Sequence, residues 1–228
     1  MRLRVATYNV HRCVGRDGRF DPERVAGVLR QLDADVLALQ ELQWGSDDAL
    51  HLLDQFARRL GQHALPGPTL LRPDGHYGNA LLTRLEVRHV HRVDLTVGGH
   101  EPRGAIDAQL ETREGELRVV ATHLGLRPGE RRLQLRRLLA RLDEGPQHPT
   151  VLMGDINEWF MWGRPLRWLH AWFGRPPSPA SFPSRLPLLA LDRIWMRPRH
   201  RLLHVSVHDS HGARQASDHL PVLAEIAA

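Results

Sequence analysis

Short apolar runs that stop abruptly at an Asn, Asp, Glu or His constrain the fold of this chain more than any other feature. In the clearest case, the run Val151-Leu152-Met153 leads directly into Gly154-Asp155-Ile156-Asn157. Because a buried strand cannot carry unpaired polar groups, Asp155 and Asn157 are expected at the mouth of a sheet, where ligands have access. Gly, Asp and Asn are also the usual residues of turns, so this run alone leaves a simple turn as an equal alternative.

The same pattern recurs along the chain, and the recurrence favours a common site over unrelated turns. Strand-like runs over residues 3–8, 36–40, 117–122 and 188–191 lead into Asn9, Glu41, His123 and Asp192. Near the C-terminus, Ser217-Asp218-His219 forms a second compact polar cluster. The sequence therefore predicts several strand ends that deliver amides, carboxylates and imidazoles to one region.

A helix is predicted between the first two of these strands. Asp21 can act as its N-cap, Pro22 suits its first turn, and the apolar residues that follow recur at helical spacing. A strand, a helix and a strand in this order favour a parallel strand pair. Asn9 and Glu41 are therefore expected at the same edge of the sheet.

Seven short motifs lie in order along the chain: Thr7-Tyr8-Asn9, Gln40-Glu41, Gly78-Asn79-Ala80-Leu81-Leu82, Thr122-His123-Leu124, Gly154-Asp155-Ile156-Asn157, Leu191-Asp192-Arg193-Ile194 and Ser217-Asp218-His219. Each motif is weak singly, but together they resemble the endonuclease/exonuclease/phosphatase superfamily, to which deoxyribonuclease I belongs. The resemblance covers residues 3 to about 226, so residues 1–228 are predicted to form one domain. It implies an α/β (α+β) fold, a four-layer α/β/β/α sandwich of two mixed β-sheets like that of deoxyribonuclease I, and Mg²⁺-dependent cleavage of a phosphoester.

The resemblance also implies catalytic roles. A phosphodiester is anionic, so its hydrolysis requires charge neutralisation and an aligned nucleophile. Asp155 is implied to orient or deprotonate the attacking water, and Asn157 to donate its amide to a phosphate oxygen. His219, with its tautomer fixed by Asp192, would contact the scissile phosphate, and His123 would donate to a non-bridging oxygen. A His–Asp pair also occurs in serine hydrolases, but the chain has no GxSxG motif to supply their nucleophile.

The implied metal ligands are Glu41 as first choice, Asn9 beside it and Asp218 nearby. Oxygen ligands suit Mg²⁺, the expected cofactor, for which Mn²⁺ is a possible substitute.

Three further residues are candidates for binding substrate or phosphate. Asn79 lies where the family has an active-site Asn, Arg103 precedes a predicted strand and is suited to clamp a phosphate, and either is alternatively an ordinary loop residue. His11 stands where relatives often carry an acid or amide, which puts a second metal site in doubt.

The segment 159–173 contains four of the six tryptophans of the chain. It is predicted to contain a core helix carrying Leu166, Leu169 and Phe173, with Trp159 and Trp162 packed under a loop. The alternatives are an aromatic wall for nucleobases, with Trp162 at the rim of the pocket, or a patch that contacts a membrane peripherally.

Composition bounds the remaining expectations. The net charge is +5 and every one of the 31 basic residues is Arg, which favours polyanionic partners but also fits a coding bias. The arginines of residues 131–141 are interpreted as the solvated face of an amphipathic helix. Cys13, the single cysteine, allows no internal disulfide. The sequence offers no signal peptide and no transmembrane run, so a cytoplasmic monomer is expected.

The substrate stays open between nucleic acid and a lipid-like phosphodiester. Inositol phosphatases of the superfamily continue the Gly-Asp-x-Asn motif with Tyr-Arg, whereas Glu158-Trp159 follow here, which argues against inositol polyphosphates. A phosphomonoesterase of the same superfamily is one alternative. A non-catalytic protein that binds phosphorylated partners is the other, although the chain retains the acids and the final His that such proteins usually lose.

Overall fold

The computed structural model describes residues 1–45, 52–72, 75–144 and 148–228. Within these ranges the strands are β1 (Arg2–Asn9), β2 (Val36–Trp44), β3 (His63–Arg72), β4 (Gly75–Thr83), β5 (Glu86–Asp94), β6 (Gly104–Thr112), β7 (Gly115–His123), β8 (Thr150–Asp155), β9 (Asp192–Arg197), β10 (Leu202–Val207) and β11 (Val222–Ala227). The α-helices are α1 (Pro22–Leu32), α2 (Leu52–Leu60), α3 (Pro128–Glu144), α4 (Arg164–Phe173) and α5 (His211–Ala216).

The strands form two mixed sheets, as predicted. One has the order β10-β11-β1-β2-β4-β3 and the other the order β5-β6-β7-β8-β9. Three apolar clusters separate four layers. One cluster lies between the first sheet and helices α1, α2 and α5, a second lies between the two sheets, and a third lies between the second sheet and helices α3 and α4. The predicted α/β/β/α sandwich is therefore confirmed.

The first strand-helix-strand unit forms for the reasons visible in its sequence. The side chain of Asp21 accepts a hydrogen bond of 2.9 Å from the backbone N–H of Arg24, which caps the start of α1. Strands β1 and β2 pair in parallel, with Asn9 opposite Gln40. The ends of both strands consequently emerge at one edge of the sandwich. This edge, to which both sheets contribute, is hereafter called the catalytic edge.

Antiparallel neighbours bring the starts of two later strands to the same edge. Asp192 was expected at the end of a strand over residues 188–191, but it is the first residue of β9, where it lies opposite Asp155 of β8. The expectation was wrong because residues 188–191 are largely irregular, with only an isolated bridge between Leu189 and Phe182. Strand β11 runs antiparallel to β1, so the loop before it carries His219 to the catalytic edge.

Gly154 permits the close pairing of β7 and β8 just before the edge. Its φ is +150°, and a Cβ atom built there would lie 1.8 Å from the carbonyl oxygen of Thr122. No residue with a side chain fits this position without moving the backbone, so the glycine fixes where Asp155 enters the cleft.

The interpretation of α3 as a helix with a uniformly solvated arginine face was wrong. Arg131 is buried at 2% exposure, whereas Leu133 is 46% exposed. The guanidinium of Arg131 donates to the carboxylate of Glu158 and to the carbonyl of Leu126, so a buried network outweighs the helical pattern. Among the described residues, no helix combines the length and apolar character that crossing a bilayer requires.

Candidate active site

A cleft of about 580 Å³ opens at the catalytic edge. Seven of the residues selected from the sequence line it: Glu41, Arg103, His123, Asp155, Asn157, Asp218 and His219. They come from both sheets and from the loops between them. The fold therefore brings together groups that are as much as 178 positions apart in the chain, counted from Glu41 to His219.

Asp155 lies at the centre of the cleft floor and is almost fully buried. Its Oδ1 accepts from the backbone N–H of Asn157 at 2.9 Å, and its Oδ2 accepts from Nδ2 of Asn9 at 3.1 Å. Burial raises the pKa of Asp155 to about 6, against the opposing effect of the nearby His219. A carboxylate with a raised pKa is a better base towards water than an ordinary aspartate.

The Asp155–Asn157 segment turns rather than continuing as a strand. Asn157 has a φ of +53°, because the chain turns back on the side chain of Asp155. Its Nδ2 donates to the carbonyl of Leu124 at 2.9 Å and lies 3.0 Å from Nε2 of His123. The turn places the Asn157 amide against the β7 loop and beside His123.

His219 and Asp192 form a buried pair. Nδ1 of His219 donates to Oδ2 of Asp192 at 2.8 Å, and the same oxygen accepts from the hydroxyl of Ser181 at 2.6 Å. Burial alone would lower the pKa of His219, but the carboxylates of Asp192 and Asp155 outweigh it and raise the pKa to about 10. Nε2 of His219 lies 3.8 Å from Oδ2 of Asp155. The cleft therefore contains a fixed imidazolium next to its central carboxylate.

His123 is held as a neutral imidazole by Arg103. Nη1 of Arg103 lies 3.0 Å from Nδ1 of His123. A guanidinium has only donors, so Nδ1 accepts and the proton of the neutral ring is on Nε2. Nε2–H and the amide N–H of Asn157, two donors, then lie 3.0 Å apart at the cleft. Burial, with the charges of Arg103 and His219, lowers the pKa of His123 well below its usual value. The Nε2–H faces the carboxylates of Asp155, at 3.5 Å, and Glu41, at 4.0 Å.

The three candidate metal ligands lie around the same opening. Nδ2 of Asn9 donates to Glu41 at 3.0 Å as well as to Asp155, and Oδ1 of Asn9 accepts from the backbone N–H of His11 at 3.0 Å. Asp218 lines the cleft with its carboxylate partly in solvent. Glu41 and Asp218 offer carboxylate oxygens of the kind that Mg²⁺ or Mn²⁺ prefers, whereas Asn9 turns its amide nitrogen towards Glu41 and would have to turn over to contribute its Oδ1.

A tighter cluster also meets a geometric criterion for binding metal. Ligand atoms of Asp155, Asp192 and His219 lie within 4.8 Å of one another. In this cluster the imidazolium lies between the two carboxylates, and Asp192 and His219 are engaged with each other.

Strained backbone is concentrated at the cleft. Within the described ranges six non-glycine residues have positive φ, and five of them adjoin the site, namely His11, Arg12, Cys13, Glu41 and Asn157. Such conformations cost free energy and persist where the surrounding structure enforces them, characteristically at functional sites. Glu41 owes its conformation to an irregularity in the pairing of β2 with β4 between Leu39 and Leu42.

Five of the selected residues lie outside the lining of the cleft: Asn9 and Asp192, described above, and Asn79, His11 and Trp162. Asn79 is buried, and its amide donates to the carbonyl of Gly104 at 3.0 Å, next to Arg103. The ring of His11 turns towards the carbonyl of Val14, with Nδ1 at 3.2 Å, and lies 3.9 Å from Asp218. Trp162 is 74% exposed on the loop that follows Asn157. Asn79 and His11 thus adjoin the site from behind, whereas Trp162 projects beyond it.

The Trp-rich segment divides into two parts. Helix α4 buries Leu166, Leu169 and Phe173, as predicted. The packing of Trp159 and Trp162 under a loop was wrong, because both side chains stand in solvent. Hydrophobic residues normally favour the core, so their exposure here is informative.

Sequence reasoning missed several groups that contribute to the cleft. Arg12 and Glu101 line it, Tyr77 lies beside Glu41 and Arg103, and burial raises the pKa of the Tyr77 hydroxyl. The ring of Phe182 packs on His219 with centroids 4.8 Å apart. Phe182 lies in a proline-rich stretch without periodicity, so the sequence gives no sign of its role. Its contact with His219, which is distant in the sequence, is visible only in the structure.

Comparisons with known proteins agree with this geometry. Residues 6–219 match the model of the Endonuclease/Exonuclease/phosphatase family. The chain is 30% identical to the uncharacterized protein YbhP of Escherichia coli (strain K12) over 98% of this chain and 96% of that protein.

Two solved structures share the fold. The endonuclease/exonuclease/phosphatase from Beutenbergia cavernae DSM 12333 has a TM-score of 0.76 at 22% identity, covering 99% of this chain and 71% of that one. TDP2 of D. rerio, complexed with a single strand DNA product, has a TM-score of 0.74 at 18% identity, covering 100% and 99%.

Proposed function

This chain belongs to the endonuclease/exonuclease/phosphatase family, and from that premise we propose that it is a divalent-metal-dependent phosphodiesterase with Mg²⁺ as cofactor. The observation that carries the proposal is the convergence of Asp155, His123, His219 and Glu41 on one cleft. Both sheets contribute to this set, which combines a base, hydrogen-bond donors, a fixed positive charge and metal-ligand oxygens. These are the groups that hydrolysis of an anionic ester requires.

We assign the base to Asp155. Its Oδ1 accepts from the backbone N–H of Asn157, and its Oδ2, which also accepts from Asn9, lies near Nε2 of both histidines. Near neutral pH the group is largely ionised, and its raised pKa suits acceptance of a proton from an attacking water. The water oxygen then forms the new bond to phosphorus while the ester bond on the opposite side breaks.

The donors surround the position where negative charge develops. Nε2–H of His123 and the imidazolium of His219 are suited to donate to oxygens of the five-coordinate phosphorus, and both are held in orientation by buried partners. We assign the amide of Asn157 to a further phosphate oxygen. In the structure one hydrogen of its Nδ2 is donated to Leu124, and the nitrogen also lies 3.0 Å from Nε2 of His123, so a phosphate oxygen would accept from the Asn157 amide and from His123 together.

We assign the metal site to Glu41, Asn9 and Asp218, with Mn²⁺ as a substitute for Mg²⁺. A cation held there would supply positive charge to the phosphate and to the departing oxygen. The substrate class is an internal phosphodiester, in nucleic acid or in a lipid-like molecule. Nucleic acid remains a candidate substrate because the structurally similar TDP2 of D. rerio is complexed with a single strand DNA product.

Hydrolysis of bis(p-nitrophenyl) phosphate tests the proposal. We expect release of p-nitrophenol that needs Mg²⁺ or Mn²⁺, stops with a chelator and falls by about 10²-fold or more in Glu41→Gln and His219→Gln. His91→Gln serves as a matched control, because His91 is exposed on β5 away from the cleft lining. Metal-independent release, or equal rates in all variants, would contradict the proposed site. Turnover of p-nitrophenyl phosphate alone would favour a phosphomonoesterase instead.

A further inference from the structure

Four consecutive apolar side chains stand in solvent beside the cleft. Trp159, Phe160, Met161 and Trp162 are 54, 53, 62 and 74% exposed, and Leu126 on the neighbouring loop is 64% exposed. Scattered exposed apolar residues are ordinary, but a contiguous group of this size marks an interaction surface. Leu126 and residues 159–162 are called here the apolar knuckle. Trp159 and Leu126 also line the cleft, so the knuckle begins at its wall.

The base of the knuckle is fixed by a buried ion pair. Glu158 and Arg131 are 3% and 2% exposed, and Nε of Arg131 lies 3.3 Å from Oε2 of Glu158. Glu158 also accepts from the backbone N–H of Phe160 at 3.2 Å, and Nη1 of Arg131 donates to the carbonyl of Leu126 at 2.6 Å. A Cβ atom on Gly163 would lie 2.5 Å from the Glu158 carboxyl carbon. The two loops are therefore tied together underneath, while their apolar side chains point outwards.

A basic surface adjoins the knuckle. A shallow cavity of about 600 Å³ is lined by four arginines, called here the arginine shelf: Arg127, Arg132, Arg136 and Arg164. Among the described residues none of the four forms an ion pair. The acid that shares the cavity, Glu130, is buried and accepts from Nε2 of Gln134 at 3.0 Å. Four arginines against one carboxylate leave the shelf with a net positive charge next to the apolar side chains.

We propose that the apolar knuckle and the arginine shelf dock this protein on an anionic lipid surface. Apolar side chains that enter the acyl boundary, with arginines beside them at the level of the headgroups, are the arrangement by which proteins bind such surfaces. Because the knuckle starts at the cleft wall, docking brings the cleft to the headgroup layer. The substrate is then a phosphodiester of a lipid headgroup, a statement that rests on the proposed function.

The side chains favour lipid over single-stranded nucleic acid. Base stacking needs free aromatic faces, whereas Phe160 and Trp162 pack on each other with centroids 5.6 Å apart. Met161, Leu126 and the exposed Leu133 of the shelf cavity are aliphatic and offer no face for a base. Aliphatic side chains gain free energy from an acyl environment, to which the whole surface is therefore suited.

Sedimentation with vesicles tests the docking surface without metal or turnover. We expect the full chain to pellet with vesicles of phosphatidylcholine and phosphatidylglycerol, and less with phosphatidylcholine alone. The double variant Phe160→Ser, Met161→Ser should bind about tenfold more weakly or worse, because it removes two apolar side chains that the acyl region would bury. Arg132→Gln with Arg136→Gln should remove the salt-sensitive part. Leu203→Ser is the matched control. Leu203 is also an exposed apolar side chain, at 46%, but it lies on β10, which pairs with β11 in the first sheet and is not part of the knuckle.

Four results would overturn the docking proposal. The wild type could fail to pellet with vesicles, or the knuckle variant could bind vesicles as well as the wild type. A single-stranded oligonucleotide, and not vesicles, could quench the tryptophan fluorescence, or the protein could form a dimer that the knuckle variant dissociates. Release of p-nitrophenol from bis(p-nitrophenyl) phosphate is measured in parallel and should be unchanged in Phe160→Ser, Met161→Ser. If the wild type releases no p-nitrophenol, the proposed function is contradicted. If it releases p-nitrophenol but does not bind vesicles, only the docking proposal is contradicted.

Discussion

Nη1 of Arg103 lies 3.0 Å from Nδ1 of His123, and both side chains are buried. Arg103 was predicted from the sequence to clamp a phosphate, yet its nearest described partners are this imidazole and the carboxylate of Glu101, at 3.2 Å. Because the guanidinium can only donate, it selects the tautomer of His123 that carries its proton on Nε2, towards the cleft. We therefore propose that Arg103 is a positioning residue for His123.

Replacement of Arg103 should therefore impair catalysis through His123. We expect Arg103→Met to lower kcat on bis(p-nitrophenyl) phosphate by about 10- to 100-fold, the range typical of residues that orient a functional His. The ¹⁵N shifts of His123 should report an Nε2–H ring in the wild type and a mixture of tautomers in the variant. An unchanged tautomer combined with a raised KM would indicate direct binding of phosphate instead.

Asp192→Asn tests the pair at the other side of the cleft. The substitution keeps the shape of the side chain but removes the charge that opposes the imidazolium of His219. We expect kcat to fall by about 10²- to 10⁴-fold, as for other His residues deprived of a buried carboxylate. Ser181→Ala removes a neutral hydrogen bond to the same oxygen and should cost far less. Rates within threefold of wild type in Asp192→Asn would contradict the assignment of a catalytic role to His219.

The protonation of His219 gives a pH prediction for the metal-free protein. Its pKa is raised to about 10 in the folded state, chiefly by Asp192 and Asp155 against the effect of burial. The pair therefore stabilises the fold fully below the ordinary pKa of His, near 6.5, and this stabilisation is lost as the pH rises through about 10. We expect the ring to remain protonated in NMR spectra at pH 8, and the free energy of unfolding to decline from pH 7 to 10 more steeply in wild type than in Asp192→Asn.

The sequence predicted local features and motif order well, and contacts between distant segments poorly. The cap at Asp21 and the strand before Asn9 depend on neighbours within a few residues, so their patterns are visible. The contact of Arg103 with His123 depends on how β6 packs beside β7, and no periodicity encodes it. The burial of Arg131 was missed for a related reason. Helical spacing gives the direction in which a side chain points, but it does not reveal that the loop carrying Glu158 covers this side chain.

A third buried ion pair, away from the cleft, yields a prediction on stability. Arg118 of β7 is 1% exposed and donates from Nε and Nη2 to the two carboxylate oxygens of Asp107 on β6, at 2.8 and 2.7 Å. It also donates to the carbonyls of Arg141 and Leu142, which fixes the last turn of α3 against the sheet. The pair therefore connects two layers of the sandwich.

Removal of one partner should cost more than removal of both. Asp107→Leu leaves a buried guanidinium without its counter-charge, and we expect it to lower the free energy of unfolding by about 3–5 kcal/mol in urea titrations. The double variant Asp107→Leu, Arg118→Met removes the uncompensated charge as well, so it should recover much of that loss, although the carbonyls of α3 lose their donor. A double variant less stable than Asp107→Leu would mean that bonding to α3, not the ion pair, is the main contribution of Arg118. Because neither residue lines the described cleft, kcat on bis(p-nitrophenyl) phosphate should stay near wild type in every variant that remains folded.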